Sequence, residues 1–138
     1  MPLVGGGGAG NTQGSNPAGT GTSLNYVGNH AYGYSGSVDV DNTETTLLRF
    51  ATGGLYIVGS WTYQGFAATG DDYKFAIKLD NQEVSAILFP GISNISGIVQ
   101  DDINILIPPY TEVTFTAQNI TDTTANLVGV TFSGRVYA

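Results

Sequence analysis

The chain has 138 residues, only 11% of them charged, and its 4 Lys or Arg against 11 Asp or Glu leave a net charge of −7 with no cysteine at all. That balance excludes nucleic acid, which needs a basic surface, and the missing cysteine excludes disulfides, thiolate metal sites and cysteine nucleophiles. A surface so poor in charge also predicts that much of it is covered by partners.

Residues 1–23 come first. No charged residue precedes Asp39, and eight glycines fall among the first 23 positions. Such a stretch has no hydrophobic period and cannot build a core. It reads as an extended glycine-rich arm, which at full stretch would reach on the order of 75 Å, enough to cross a neighbouring subunit. The start, Met1-Pro2-Leu3-Val4 before Gly5 to Gly8, lacks the basic region and apolar core of a signal peptide. No run approaches the roughly 20 apolar residues of a membrane helix. With no cysteine either, the expectation is a chain that folds in the cytoplasm.

From Leu24 to the end the pattern is β. Leu55 to Tyr63 is rich in β-branched and aromatic residues and predicts a buried strand. Phe75, Ile77 and Leu79 alternate with Lys74, Lys78 and Asp80, after which Asp80-Asn81-Gln82 predicts a hairpin turn into Glu83 to Phe89. Ile103 to Ile107 is a further buried strand, ended by Pro108-Pro109 because proline cannot donate to a ladder. Val113, Phe115 and Ala117 alternate with Glu112, Thr114, Thr116 and Gln118, as a half-buried strand does. Val128, Val130, Phe132, Gly134 and Val136 repeat the period to the end of the chain. No 3.6-residue period is present. Eight or nine strands with turn signals every 8–12 residues predict a single all-β domain over 24–138, a β-sandwich and specifically a jelly roll.

Catalytic chemistry finds little support. His30 is the one histidine and reads as a packing or surface residue; no G-x-S-x-G nucleophile motif accompanies it. Asp71-Asp72, Asp101-Asp102 and the Asp39/Asp41 pair lie in polar turns, where adjacent acids are solvated rather than poised for glycoside hydrolysis. Calcium suits loop oxygens better. Asp71 and Asp72 are its candidates, but no ligand spacing supports them, so no metal and no cofactor is assigned. Asn94-Ile95-Ser96 and Asn119-Ile120-Thr121 match the glycosylation triplet by chance, without a leader to bring them to that machinery. Tyr26, Tyr32, Tyr34, Tyr56, Trp61 and Tyr63 could form a sugar-stacking platform or a protein interface, and the scarcity of charge favours the interface.

Two stretches carry a family resemblance. Phe50-Ala51-Thr52-Gly53-Gly54-Leu55-Tyr56-Ile57-Val58 resembles the start of a strand in trimeric jelly rolls related to C1q and tumour-necrosis-factor domains. Ile107-Pro108-Pro109-Tyr110-Thr111-Glu112-Val113-Thr114-Phe115 and Val130-Thr131-Phe132-Ser133-Gly134-Arg135-Val136-Tyr137 are similar to closing strands of small phage-encoded head proteins. Together they resemble the capsid decoration (cement) proteins of tailed bacteriophages. The resemblance implies a non-catalytic homotrimer on the virion's outer surface, bound between capsomers to the major capsid protein and to its own copies. It would give anchoring roles to Pro2, Leu3, Val4, Asn11, Asn16 and Pro17 of the arm, and trimer-core roles to Tyr56, Trp61 and Tyr137. The alternative from another class is a carbohydrate-binding or host-recognition module of fibre or lectin type, with Trp61 and Tyr63 in the ligand site.

Overall fold

The computed structural model describes residues 12–15, 24–65, 71–89, 98–99, 102–121 and 123–137. Twelve strands and no helix occur among them. In chain order they are β1 (Thr12–Ser15), β2 (Asn25–Val27), β3 (His30–Tyr34), β4 (Val38–Val40), β5 (Thr45–Thr52) and β6 (Tyr56–Gly65). They continue as β7 (Tyr73–Leu79), β8 (Gln82–Phe89), β9 (Ile98–Val99), β10 (Ile103–Ile107), β11 (Glu112–Asn119) and β12 (Asn126–Tyr137). The count exceeds the predicted eight or nine because short pieces pair where the sequence shows no clear period. One is the hairpin β2–β3, whose two-residue loop turns at Gly28, φ 64°.

Every pairing is antiparallel. One sheet has the order β1-β5-β11-β7-β8; the other runs β10-β6-β12-β3-β2, with β4 also beside β12 and β9 beside β6. From β5 onward the chain passes repeatedly between the sheets, since β5, β7, β8 and β11 belong to one and β6, β9, β10 and β12 to the other. This is a jelly-roll sandwich, as the spacing of turn signals predicts. Between the sheets lies an aromatic core. Phe50 meets Phe132 with ring centroids 5.5 Å apart, Trp61 meets Phe115 at 6.0 Å, and Tyr63 stacks on Phe75 at 4.2 Å. Each pair joins residues of opposite sheets, so these rings hold the layers together.

The alternation of Val128, Val130, Phe132 and Val136 puts all four in the core, as the period requires. Two strands depart from their expected exposure. β11 is buried on both faces, because Thr116 on its outer side is covered by Glu44, whose carboxylate accepts a bond from its hydroxyl. β10, expected to be well buried, is instead a sheet edge and turns Asn104 and Leu106 to solvent. Within the predicted arm, Thr12–Ser15 pairs with β5 of the same chain, Thr12 opposite Thr52 and Ser15 opposite Arg49. Pro2, Leu3, Val4, Asn11, Asn16 and Pro17 lie outside the described residues.

Candidate functional site

The site grows from the parity of β6 and β12, which pair through ten positions from Val128 opposite Gly65 to Tyr137 opposite Tyr56. On β6, Ile57, Trp61 and Tyr63 point into the core, so Tyr56, Val58, Ser60 and Thr62 must point outward. On β12 the buried Val130, Phe132 and Val136 leave Thr131, Ser133, Arg135 and Tyr137 on the same outer face. The ladders extend each row across the sheet. Asn104, Ser60, Ser133, Tyr32 and Asn25 stand side by side, and the next row is Leu106, Val58, Arg135, His30 and Val27.

A groove of about 330 Å³ opens in the middle of these rows, lined by His30, Tyr32, Val58, Ser60, Asn104 and Ser133. Its floor is the backbone of Gly59 and Gly134, which lie opposite each other. Both are glycine for a steric reason. A Cβ on Gly59 would stand 2.4 Å from the Ser133 carbonyl oxygen and 3.0 Å from the Phe132 ring, and one on Gly134 would stand 2.6 Å from Ile57. Their Cβ positions point below the sheet, so close packing there requires glycine, while above it these inward positions present backbone alone.

Rings and polar groups border the floor. His30 and Tyr32 stack with centroids 6.5 Å apart on one side. Towards the end of the sheet Tyr56 and Tyr137 stack at 5.4 Å, and the Arg135 guanidinium lies over Tyr137 at 5.6 Å, a cation–π contact. At the opposite end the Thr62 hydroxyl donates to the Asp102 carboxylate. The face therefore offers hydroxyls, an amide, an imidazole and exposed ring surface, with the Arg135 cation towards one end and the Asp102 and Asp39 carboxylates towards the other. It can hold a polar ligand by hydrogen bonds and stacking.

The structure separates the aromatic residues that the sequence grouped. Tyr32 and Tyr34 are exposed on this face, and Tyr56 and Tyr137 are its stacked pair. Trp61 and Tyr63 are core residues instead; Trp61 is 1% exposed, so it can serve neither a trimer interface nor a sugar platform. Tyr26 is half-buried and packs against the core. His30 is on the surface and belongs to the groove. The sequence reading missed Ser60, Ser133 and Asn104. The signal was there in small hydroxyl residues on the parity opposite Trp61 and Phe132.

The calcium candidates have other work. Asp71 is buried and accepts a bond from the Asn126 side chain at 3.2 Å. The backbone N–H of Asp72 donates to the Thr121 hydroxyl at 2.8 Å, and its carbonyl accepts from Ile120 at 2.9 Å. Both tie the start of β7 to the segments flanking the β11–β12 connection. Among the described residues no three of His, Cys, Asp and Glu gather as metal ligands would. Asn119 is fully buried, its amide donating to the Thr124 carbonyl at 2.9 Å, which removes it as a glycosylation acceptor. Asn94 and Asp101 lie outside the described residues.

No protein-family model matches the chain, and neither does any curated protein. Among solved structures, a CBM35 from Paenibacillus barcinonensis is similar with a TM-score of 0.42 and 16% identity, over 94% of this chain and 99% of that one. A family 35 carbohydrate binding module from an environmental isolate follows at 0.38 and 13%, over 100% and 93%. A Paenibacillus sp. cycloisomaltooligosaccharide glucanotransferase complexed with cycloisomaltoheptaose gives 0.35 and 14%, over 97% of this chain but 19% of that one. At these scores none of the three bears on what this chain binds.

Proposed function

We propose that the chain is a non-catalytic glycan-binding module, which holds a neutral oligosaccharide on the outer face of the seven-stranded sheet. The observation that carries this reading is the glycine-floored groove lined by Ser60, Ser133, Asn104, His30 and Tyr32. A sugar ring has an apolar C–H face and a rim of hydroxyls. Exposed tyrosine faces suit the first, and serine hydroxyls with an asparagine amide, able to donate and accept, suit the second. An open groove covers less of its ligand than a closed pocket does, so each module binds modestly.

The test is a glycan array followed by calorimetry on the best ligand. Tyr32→Ala and Asn104→Ala are expected to weaken binding at least tenfold with an unchanged unfolding midpoint, and Ser60→Trp to abolish it by filling the groove. Absence of any glycan ligand, or binding indifferent to all three substitutions, would overturn the proposal. Attachment to a viral shell is the second reading, favoured by the exposed apolar residues Leu106, Val58 and Val27, which stand in one row across the same face. Under it, deleting residues 2–11, which spares β1, abolishes decoration of shells while the domain stays folded; full occupancy by the truncated chain would exclude an anchor in that stretch.

A further inference from the structure

The two edges of the five-stranded sheet differ. One is closed by β1, a segment of the chain's own N-terminal region lying along β5. At the other edge β8 has β7 as its one partner among the described residues. From Ser85 to Phe89 the ladder with β7 is regular, so alternate residues turn backbone N–H and C=O groups outward with nothing to receive them from this sheet. Edges of this kind are ordinarily protected by proline, lysine or a bulge. Gln82–Phe89 contains no proline or lysine, its one charge is Glu83, and the register shift lies towards its beginning. Val84 and Leu88 are 48% and 63% exposed, two residues either side of Ala86.

We propose that β8 pairs with β8 of a second copy across a two-fold axis through Ala86, joining two five-stranded sheets into one of ten strands. Antiparallel neighbours in one continuous sheet must share a face, so a residue of β8 can lie opposite only a residue of its own parity. Buried Tyr73, Phe75 and Ile77 put Lys74 and Ala76 on the outer face, and with them their partners Leu88 and Ala86. An axis on Ala86 sets each Leu88 against Val84 of the other copy, so four exposed apolar side chains cover one another. It also keeps Glu83, which the register shift leaves on the outer face beside Lys78, near the Phe89 end of the other copy and away from the second Glu83. There it approaches the end of β7 that carries Lys74, its ion-pair partner at 3.0 Å within one copy. An axis on Ser85 would place Glu83 against Ile87 and Leu88 against Gln82, losing the apolar match. The pairing is two-fold, where the family resemblance implied three-fold. It is independent of what the groove binds, since the groove lies on the other sheet. Two grooves on one body would add avidity for a repeating ligand.

The chain has no cysteine, which makes the register directly readable. Residues opposite each other in a ladder lie within disulfide reach, while those displaced by two positions do not. Under mild oxidation Ala86→Cys is expected to form a disulfide-linked dimer, and Ser85→Cys is not. Sedimentation of the unmodified chain should give twice the 14.4 kDa of one copy. Leu88→Lys, at an exposed position, should return it to 14.4 kDa with an unchanged circular dichroism spectrum, and its unfolding midpoint should no longer depend on protein concentration. A monomer at all concentrations, a dimer that survives Leu88→Lys, or cross-linking of Ala86→Cys no faster than Ser85→Cys sinks the proposal.

Discussion

Tyr63 combines three roles in one side chain. Its ring stacks on Phe75 and meets the edge of Trp61 at 5.1 Å, joining the two sheets. Its hydroxyl, fully buried, donates to the carbonyl oxygen of Ala76 at 2.7 Å, with that of Thr116 at 3.1 Å. Burial therefore raises the phenol well above its ordinary 10.0, because the charged form would have to leave water. Burial raises Tyr73 as well. A raised value means that the fold favours the neutral phenol. The stabilisation is whole below pH 10.0 and is lost as the pH climbs through the folded-state value. Tyr63→Phe is expected to cost about 1 kcal/mol at pH 7 for the lost hydrogen bonds. It should also flatten the fall in stability above pH 10.0, as measured by urea denaturation over a pH series. An equally steep alkaline loss in the variant would show that Tyr63 does not carry it.

At the scale of the element, the β7–β8 hairpin shows local chemistry setting register. Leu79 pairs with Gln82, leaving Asp80 and Asn81 as a two-residue loop with φ of 52° and 67°. Positive φ at both central residues is the type I′ turn, which matches the twist of the strands it joins and suits Asp and Asn better than most residues. Asp80 also accepts the Glu112 backbone N–H at 2.9 Å, fastening the turn to β11. Asn81→Val should cost about 1–2 kcal/mol, because a branched side chain resists this conformation, whereas Asn81→Gly should be neutral or stabilising. Thermal unfolding of both variants checks the ordering; equal midpoints would remove the turn as a determinant. The Gly59–Gly134 pair is set differently, by what lies beneath the sheet rather than by backbone twist. Alanine at Gly59 must displace backbone of β12.

Across the whole molecule the two outer faces have unlike chemistry. Arg49, Thr114, Lys78 and Glu83 form one row across the five-stranded sheet, and three of the four cations stand on that face. There Lys78 pairs with Glu44 at 2.9 Å and Lys74 with Glu83 at 3.0 Å. Hydrogen bonding from Lys78 holds the Glu44 carboxyl below its ordinary 4.5. Its contribution is present above that value and is lost as the pH falls through the folded-state one. The pair is partly exposed and screened by solvent, so its share is about 0.2–1 kcal/mol. Lys78→Met should remove the part of the acid-induced loss below pH 4.5 that Glu44 supplies, read from denaturation midpoints with and without 1 M salt. The seven-stranded sheet is left with sparse charge, and that is where the groove opens.

Much of the fold is legible in the residues. The alternation in β7 and β12, the Asp80-Asn81 turn and the Pro108-Pro109 stop are local matters, fixed by the two-residue period of a strand and the allowed φ of each residue. The core members Val128, Val130, Phe132, Phe75 and Ile77 follow from them. On β6 the same period says that Trp61 shares a face with Ile57 and Tyr63, while Ser60 shares one with Tyr56 and Thr62. Both sets contain apolar rings, so local chemistry does not say which one faces inward. That choice, and with it the placing of Trp61 in the core, came from the opposing sheet, whose Phe50, Phe75 and Phe115 supply the matching surface. The groove lies further still from sequence. Asn104, Ser60, Ser133 and Tyr32 belong to four strands, and the order and register of those strands were decided by packing across the sandwich. A period along one strand carries no information about its neighbours.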